Sequence, residues 1–346
     1  MQWSRGGCEF LTSCPACGTP VEVGKNKIFI RHDDESKMPD KWKMHLCRAC
    51  GSIYLNPRPD GASLPNAYID YLTHGDQNIY KEISEKNGFM WNLIRLYLHK
   101  RFGVDYGRTY NPLYLIFLFF PPLRQKLDRF GRNLTIKDFK NRGRLLDVGA
   151  GNGSFLDFAE KMGWIAEGVE PDPVAADLCK RKGLNVRHGF IDAMSDRNGQ
   201  YDVLTMNHVI EHVPDIGHVL LRSFDLLKPG GVLWIALPNP QSLGRKLFGA
   251  SFCALHPPFH LCIYSQKTLK SNLRNSGFVD VKIIRRGFHA KAHWRDSVKV
   301  SSLQNISVPS KPVQFFIRWF ADLLSIVTPR WSEETVIVAR RSLIQF

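Results

Sequence analysis

Arg144-Leu145-Leu146-Asp147-Val148-Gly149-Ala150-Gly151-Asn152-Gly153-Ser154-Phe155 decides the fold. A short apolar run carrying one acid meets three glycines at alternate positions, then opens into a helical pattern. Glycines spaced this way let the backbone turn sharply and approach a ligand where a Cβ would collide. A helix start adds free N–H groups and a positive dipole end, which suit a carboxylate or phosphate. The dinucleotide fingerprint G-x-G-x-x-G needs two residues between its second and third glycine. Here only Asn152 separates Gly151 from Gly153, and Ser154 stands where that third glycine belongs. A nicotinamide or flavin site is disfavoured on that mismatch.

Further strands follow the loop. Ile165–Val169 reads as a second strand ending at Glu170. An acid there, about 20 residues past the glycines, is placed to accept ribose hydroxyls. Asn185–Arg187 and Tyr201–Met206 read as strands three and four, and Leu227-Lys228-Pro229-Gly230-Gly231 turns a helix into strand five, Val232–Leu237. Strands six and seven are expected at Val279–Arg285 and Thr335–Arg340, with a long interval between them.

Asp147–Gly153 resembles the first motif of the Rossmann-like, class I S-adenosylmethionine (SAM)-dependent methyltransferases, and four later stretches agree with it. The resemblance covers residues 142 to 289 and returns at 333 to 341. It implies an α/β fold: a Rossmann-like seven-stranded methyltransferase sheet with an N-terminal zinc ribbon and a helical insertion. It implies donor binding by Asp147, Gly149, Ala150, Gly151, Gly153, Glu170 and Asn207, with Asp192 beside the adenine.

Asn207-His208-Val209-Ile210-Glu211-His212-Val213 looks like the family's segment after strand four. His208, Glu211 and His212 fall at i, i+3 and i+4, one face of a helical turn able to hold a divalent ion or supply a base. The resembling quinone-biosynthesis O-methyltransferases carry a Glu at the place of His208 and bind a divalent ion there; the His is a departure. The bland alternative is that Glu211 and His212 brace the loop. His256-Pro257-Pro258-Phe259-His260-Leu261-Cys262-Ile263-Tyr264-Ser265 resembles a segment that reaches the acceptor pocket in small-molecule methyltransferases. His260 is the expected general base or orienting residue, since a histidine's ordinary pKa near 6.5 suits taking a proton as the methyl arrives.

Residues 1–60 read as a zinc-ribbon module. Cys14-Pro15-Ala16-Cys17-Gly18 and Cys47-Arg48-Ala49-Cys50-Gly51 each bring two thiolates to one ion, and four together give a closed, structural tetrahedral site. The 29 residues between Cys17 and Cys47, positions 18 to 46, suit a hairpin with an extended loop holding Asp33-Asp34-Glu35. Cys8, His32 and His45 are alternative ligands. A redox C-x-x-C is the competing reading, without the βαβ context it needs. With eight cysteines, four of them in these pairs, the composition points to a reducing compartment.

Residues 61–141 read as a helical linker or lid. Tyr80–Phe102 has helical spacing, and Leu113–Leu123 is strongly apolar, stops at Pro121-Pro122 and is flanked by Arg101, Arg108, Arg124, Lys126 and Arg129. Residues 142–346 form the expected methyltransferase domain, with an apolar helical insertion at 290–331 and a strongly apolar helix at Val313–Val327. Leu113–Leu123 and Val313–Val327 either pack on each other or make peripheral membrane contact.

The 346 residues hold 47 Lys and Arg against 32 Asp and Glu, a net charge of +15, with 44% hydrophobic residues. An anionic partner or simply a basic soluble surface fits that balance. The first 20 residues lack the apolar core of a signal peptide, and no apolar run reaches the ~18 residues that span a bilayer. The expectation is a cytoplasmic enzyme, peripheral at a membrane if the apolar segments touch lipid. Its acceptor is a small molecule or saccharide, free or lipid-linked, methylated on oxygen or nitrogen. RNA methylation through the zinc ribbon and basic surface is the first alternative, with nucleic acid the less favoured partner. A non-catalytic SAM-binding interaction module is the second.

Overall fold

The computed structural model describes residues 3–21, 26–32, 40–68, 79–107, 111–135, 143–304, 306–307 and 310–343. Asp33-Asp34-Glu35, Arg108 and the His32 side chain lie outside what is described. In chain order the elements are β1 (Cys8–Glu9), β2 (Lys27–His32), β3 (Lys41–Leu46), β4 (Ile53–Leu55), β5 (Arg58–Pro59), α1 (Leu64–Ala67), α2 (Ile79–Glu85), α3 (Phe89–Phe102), α4 (Leu115–Phe119) and α5 (Pro121–Asp128). There follow β6 (Arg144–Val148), α6 (Ser154–Lys161), β7 (Ile165–Glu170), α7 (Pro173–Arg181), β8 (Val186–His188), β9 (Tyr201–Asn207), α8 (Ile216–Leu226) and β10 (Leu227–Pro238). The chain continues through α9 (Leu243–Phe248), β11 (Cys262–Ile263), α10 (Gln266–Asn275), β12 (Phe278–Ile284), α11 (Ala290–Leu303), α12 (Lys311–Val327) and β13 (Glu334–Arg341).

A seven-stranded sheet in the order β12-β13-β10-β9-β6-β7-β8 carries the fold. β7, β6, β9 and β10 run parallel, and β13 lies antiparallel between β10 and β12. Parallel strands are buried on both faces, and β6 shows why the fold needs two covering layers. Leu145 packs with Phe155, Phe158, Tyr97 and Phe102, while Leu146 and Val148 enter the opposite cluster with Tyr54 and Tyr264. One face is thus covered by α6 and the helices before residue 135, and the other partly by the N-terminal ribbon.

That ribbon is a four-stranded antiparallel sheet in the order β11-β4-β3-β2. Its last strand comes from 200 residues downstream: Cys262 pairs with Tyr54 and Ile263 with Ile53. The residues expected to form two separate units are therefore joined by a shared sheet.

Two expectations need correction. Tyr80–Phe102 is two helices, α2 and α3, because Gly88 takes φ +130 between them. The apolar helix α4 ends before Pro121-Pro122, as expected, and Pro121 opens α5, where proline's missing N–H costs no helical bond. The segment after β9 is not a helical turn presenting one face. His208 sits at φ +55 and only Ile210–His212 coils, as a single 3-10 turn. As expected, the interval between β12 and β13 is a helical insertion, here two helices, α11 and α12, and the strands it separates pair side by side.

Candidate active site

The loop after β6 is stitched to β7. Gly149 and Ala150 donate to the carbonyl of Val169 at 2.9 and 3.2 Å. Glu170, at the carboxyl end of β7 and only 4% exposed, accepts from Gly151 N at 2.7 Å and Asp172 N at 2.9 Å. Burial pushes its carboxyl up, and these two amides pull it down. Each oxygen keeps a further lone pair, so the acid can still accept from a diol. Gly149 has no room for a side chain: with φ +71, a Cβ would lie 2.5 Å from Val209 Cγ2. At Gly153, φ +77, it would lie 2.4 Å from Leu184 Cδ1. The loop's chirality and its packing both demand glycine.

Asp147 lies beneath this loop, 1% exposed. Arg132 grips it with both guanidinium nitrogens, and Thr205 donates to it at 2.8 Å. Arg132 also lies over the ring of Phe155, 3.6 Å from its centroid. Burial raises the Asp147 pKa, against the pull of Arg132. The carboxylate is thus taken up by protein groups and braces the loop from below. Asp192 sits at the surface, bound by His218 Nε2 at 2.9 Å and Arg222 Nε at 3.3 Å. Asn207 ends β9 opposite Ala236 of β10.

A cluster of acids and imidazoles follows β9. His208 meets Glu211 Oε1 at 3.2 Å through Nδ1 and Glu334 Oε1 at 3.0 Å through Nε2. Burial pulls its pKa down, but the two carboxylates outweigh it and hold it at about 9. With an acid on each nitrogen, His208 is an imidazolium at neutral pH and donates on both sides. It is therefore not poised to take a proton, the base role its spacing suggested. Arg286 Nε donates to Glu334 Oε2 at 2.7 Å, and His293 approaches from α11 at 3.5 Å.

On the other side of Glu211 stand His212 and His260. A backbone carbonyl can only accept, so it fixes each tautomer. His260 Nδ1–H donates to Ala254 O at 2.8 Å, and His212 Nδ1–H to Phe259 O at 3.0 Å, with Tyr68 Oη 3.1 Å from the same nitrogen. Both Nε2 atoms keep their lone pairs. Burial lowers His212 to about 4 and His260 well below its usual range. His260 Nε2 lies 4.0 Å from Glu211 Oε1, and Glu211 Oε2 is buried without a hydrogen-bond partner among the described residues. Ligand atoms of Glu211, His212 and His260 all fall within 4.8 Å of one another. The structure thus brings Glu211, His212 and His260 together and sets His208 as a bridge between Glu211 and Glu334. Glu334, Arg286, Arg132 and Tyr68 carried no signal in the sequence, because they reach the site only through tertiary contact.

In the ribbon, Cys14, Cys17, Cys47 and Cys50 converge, with Cys14–Cys50 and Cys17–Cys47 sulfur separations of 3.9 and 3.8 Å. A tetrahedron with zinc–sulfur bonds of ~2.3 Å has edges of ~3.8 Å, so the four sulfurs fit a zinc ion. Cys8 is in β1 and His45 donates to Asn56 O at 3.0 Å, so neither enters this cluster.

The strand order, the glycine loop and its acid define a Rossmann-like α/β architecture. Residues 118–283, just under half of the chain, match the family model described as a methyltransferase domain. A ubiquinone biosynthesis O-methyltransferase of Ruegeria pomeroyi is 35% identical over 138 residues, 37% of this chain and 54% of that protein. One from Azorhizobium caulinodans is 30% identical over 117 residues, 32% of this chain and 46% of its own length. The chain thus spans about half the length of the curated relatives it matches. Among solved structures, a SAM-dependent methyltransferase from Archaeoglobus fulgidus is 23% identical at a TM-score of 0.44, covering 67% of this chain and 100% of that one.

Proposed function

We propose that the chain transfers a methyl group from SAM to an oxygen of a small-molecule acceptor, a saccharide or a lipid-linked ring or sugar. The observation that carries this reading is the placement of Glu170 against Gly151 N at the mouth of the glycine loop, with a neutral His260 held across the sheet end beside Glu211. SAM supplies an already activated methyl on a sulfonium. The chain must align that methyl with the acceptor and receive one proton. Glu170 is the group for the ribose hydroxyls, and the alternate glycines admit the donor. His260 Nε2 accepts the acceptor's proton. The resulting imidazolium is stabilised by Glu211, whose second oxygen has no other partner among the described residues. His208 and Glu334 hold Glu211 in place. Oxygen is preferred to nitrogen because the two relatives above are O-methyltransferases by name, and they favour a small acceptor over RNA.

A divalent ion is the second reading of the same cluster. Glu211, His212 and His260 present one carboxylate and two neutral imidazoles, a donor set suited to a transition metal. We assign zinc to Cys14, Cys17, Cys47 and Cys50 as a structural ion, since four thiolates leave no open position. We place the protein in the cytoplasm, in peripheral contact with a membrane through 113–123 and 313–327. Among the described residues no helix is long and apolar enough to cross a membrane.

Calorimetric titration of the zinc-loaded chain with S-adenosylhomocysteine tests the reading. Micromolar binding is expected. A well-folded chain that does not bind it is no SAM-dependent enzyme, and the interaction-module alternative takes its place.

A further inference from the structure

Helix α12 faces the wrong way for a water-soluble protein. Its inward side is mostly small or polar, with Ile317 partly buried against the core: Ala321 and Ser325 are buried, Ser325 Oγ reaches Gly287 O at 3.3 Å, and Asp322 Oδ1 accepts from His289 N and Ala290 N at 3.0 Å. Its outward side is apolar, with Phe316 68%, Trp319 56%, Phe320 54% and Val327 73% exposed. An amphipathic helix ordinarily buries that stripe. The apolar segment of α4 extends the surface. Ile116 and Phe119 are exposed, Phe120 lies 6.5 Å from the ring of Phe288, and Pro122 crowds the same Gly287 that Ser325 contacts.

The chain leaving α12 runs directly into a basic pocket. A cavity of about 180 Å³ at the seam between ribbon and sheet is lined by Cys47, Arg48, Gln241, Arg245, Lys246 and Arg330, with no Asp or Glu lining it among the described residues. Arg48 lies inside the second Cys-x-x-Cys knuckle. Arg245 Nε is spent on Pro240 O at 2.6 Å, and Lys246 Nζ sits 4.0 Å above the ring of Trp331. Burial and the neighbouring Arg245 and Arg330 push the Lys246 ammonium down. The cavity is smaller than the ~300–1,000 Å³ of sites for drug-sized ligands, and suits a compact anion.

We infer that the pocket of Arg48, Arg245, Lys246 and Arg330 binds the phosphoryl headgroup of an anionic lipid, while the exposed apolar face of α12 rests among its acyl chains. Cations at the end of an apolar helix face are what an anionic bilayer surface complements. A second copy of this chain is a poorer occupant. A two-fold contact sets one patch against itself, bringing these cations together in a protein that already carries +15. The inference rests on the peripheral membrane placement proposed above and not on the methyl-transfer chemistry.

The experiment is flotation of the full, zinc-loaded chain with vesicles of phosphatidylcholine alone and of phosphatidylcholine mixed with phosphatidic acid. Wild type is expected to float only with the acidic vesicles. Arg245→Gln with Arg330→Gln should weaken that binding by roughly thirtyfold, the effect of two cations at an anionic surface. Phe316→Ser with Trp319→Ser should abolish flotation. Zinc content and S-adenosylhomocysteine affinity are measured on every variant, so loss of the donor site and loss of lipid binding are told apart. Wild type that floats with neither vesicle overturns the membrane placement and the pocket's role together. Equal flotation with both vesicles, or flotation unchanged by the arginine pair, overturns the pocket's role alone. Micromolar binding of inorganic pyrophosphate, or of single-stranded RNA, that depends on the same arginines overturns the lipid as its ligand.

Discussion

Tyr54 and Cys262 face each other across an antiparallel ladder, so the sheet that carries the cysteine knuckles ends on the strand that leaves His260. One residue earlier, Leu55 N donates to Leu261 O at 2.9 Å, and Leu261 N to Glu211 O at 2.8 Å. Two backbone hydrogen bonds thus connect the ribbon to the Glu211–His260 cluster. The ribbon is part of the site's scaffold rather than an appended module.

Removing the metal should therefore reach the acceptor side. Cys47→Ser with Cys50→Ser is expected to abolish bound zinc and to lower the thermal midpoint by several degrees or more, because a closed thiolate site contributes folding energy outright. Elemental analysis and a melting curve measure both. Wild type purified without zinc, yet equally stable, would refute the assignment.

Glu170→Ala should weaken S-adenosylhomocysteine binding by tenfold or more. Hydrogen bonds to a charged group contribute ~1.5–3 kcal/mol, and ~1.4 kcal/mol is a factor of ten. The change also frees Gly151 N and Asp172 N, so Glu170→Gln, which keeps an acceptor oxygen, should lose less. Calorimetry that shows no difference between Ala and wild type sinks the ribose role.

Arg132→Met should destabilise the fold by ~3–5 kcal/mol, since it strands the Asp147 carboxylate in the core. Asp147→Asn added to it should recover part of the loss. Urea unfolding of the two single variants and the double variant measures the coupling; simple additivity would show that the pair does not act as one.

Acid should weaken the insertion. His289 donates through Nδ1 to Gly287 O at 2.7 Å and accepts from Glu333 N at 3.1 Å through Nε2, so it is neutral. Burial lowers its pKa to about 4, against an unfolded value of ~6.5. The unfolded chain then binds more protons between those values. The stability His289 contributes is full above pH 6.5 and is lost as pH falls toward 4. Thermal midpoints across that window should fall in wild type and fall less in His289→Gln. Parallel curves for the two would contradict the buried, neutral assignment.

Much of this was legible in the chain because it is local. Alternating glycines, an acid at the end of a strand and cysteines two apart each report a backbone or ligand requirement within a few residues. The turn at Gly149–Gly153, the strand-end acid Glu170 and the four ribbon cysteines were visible in their spacing, while the donor-site reading of Asp147–Gly153 came from the family resemblance. Helix continuity was less legible. Tyr80–Phe102 kept an apolar period across a break that only Gly88 marked.

The sequence by itself determined the strand–glycine–helix core and the thiolate knuckles, whose chemistry depends on neighbours along the chain. Only the tertiary structure decided what the charged side chains do. Arg132 reaches Asp147, and Glu334 takes His208 away from the base role that its spacing suggested. Arg330 joins Arg48 in a basic pocket. Helix α12, amphipathic on paper, turns its apolar face outward because Asp322 and Ser325 are already bonded to α11 and to Gly287. Each of these contacts joins residues that lie far apart in sequence or follows from which face a helix docks. Local spacing encodes neither.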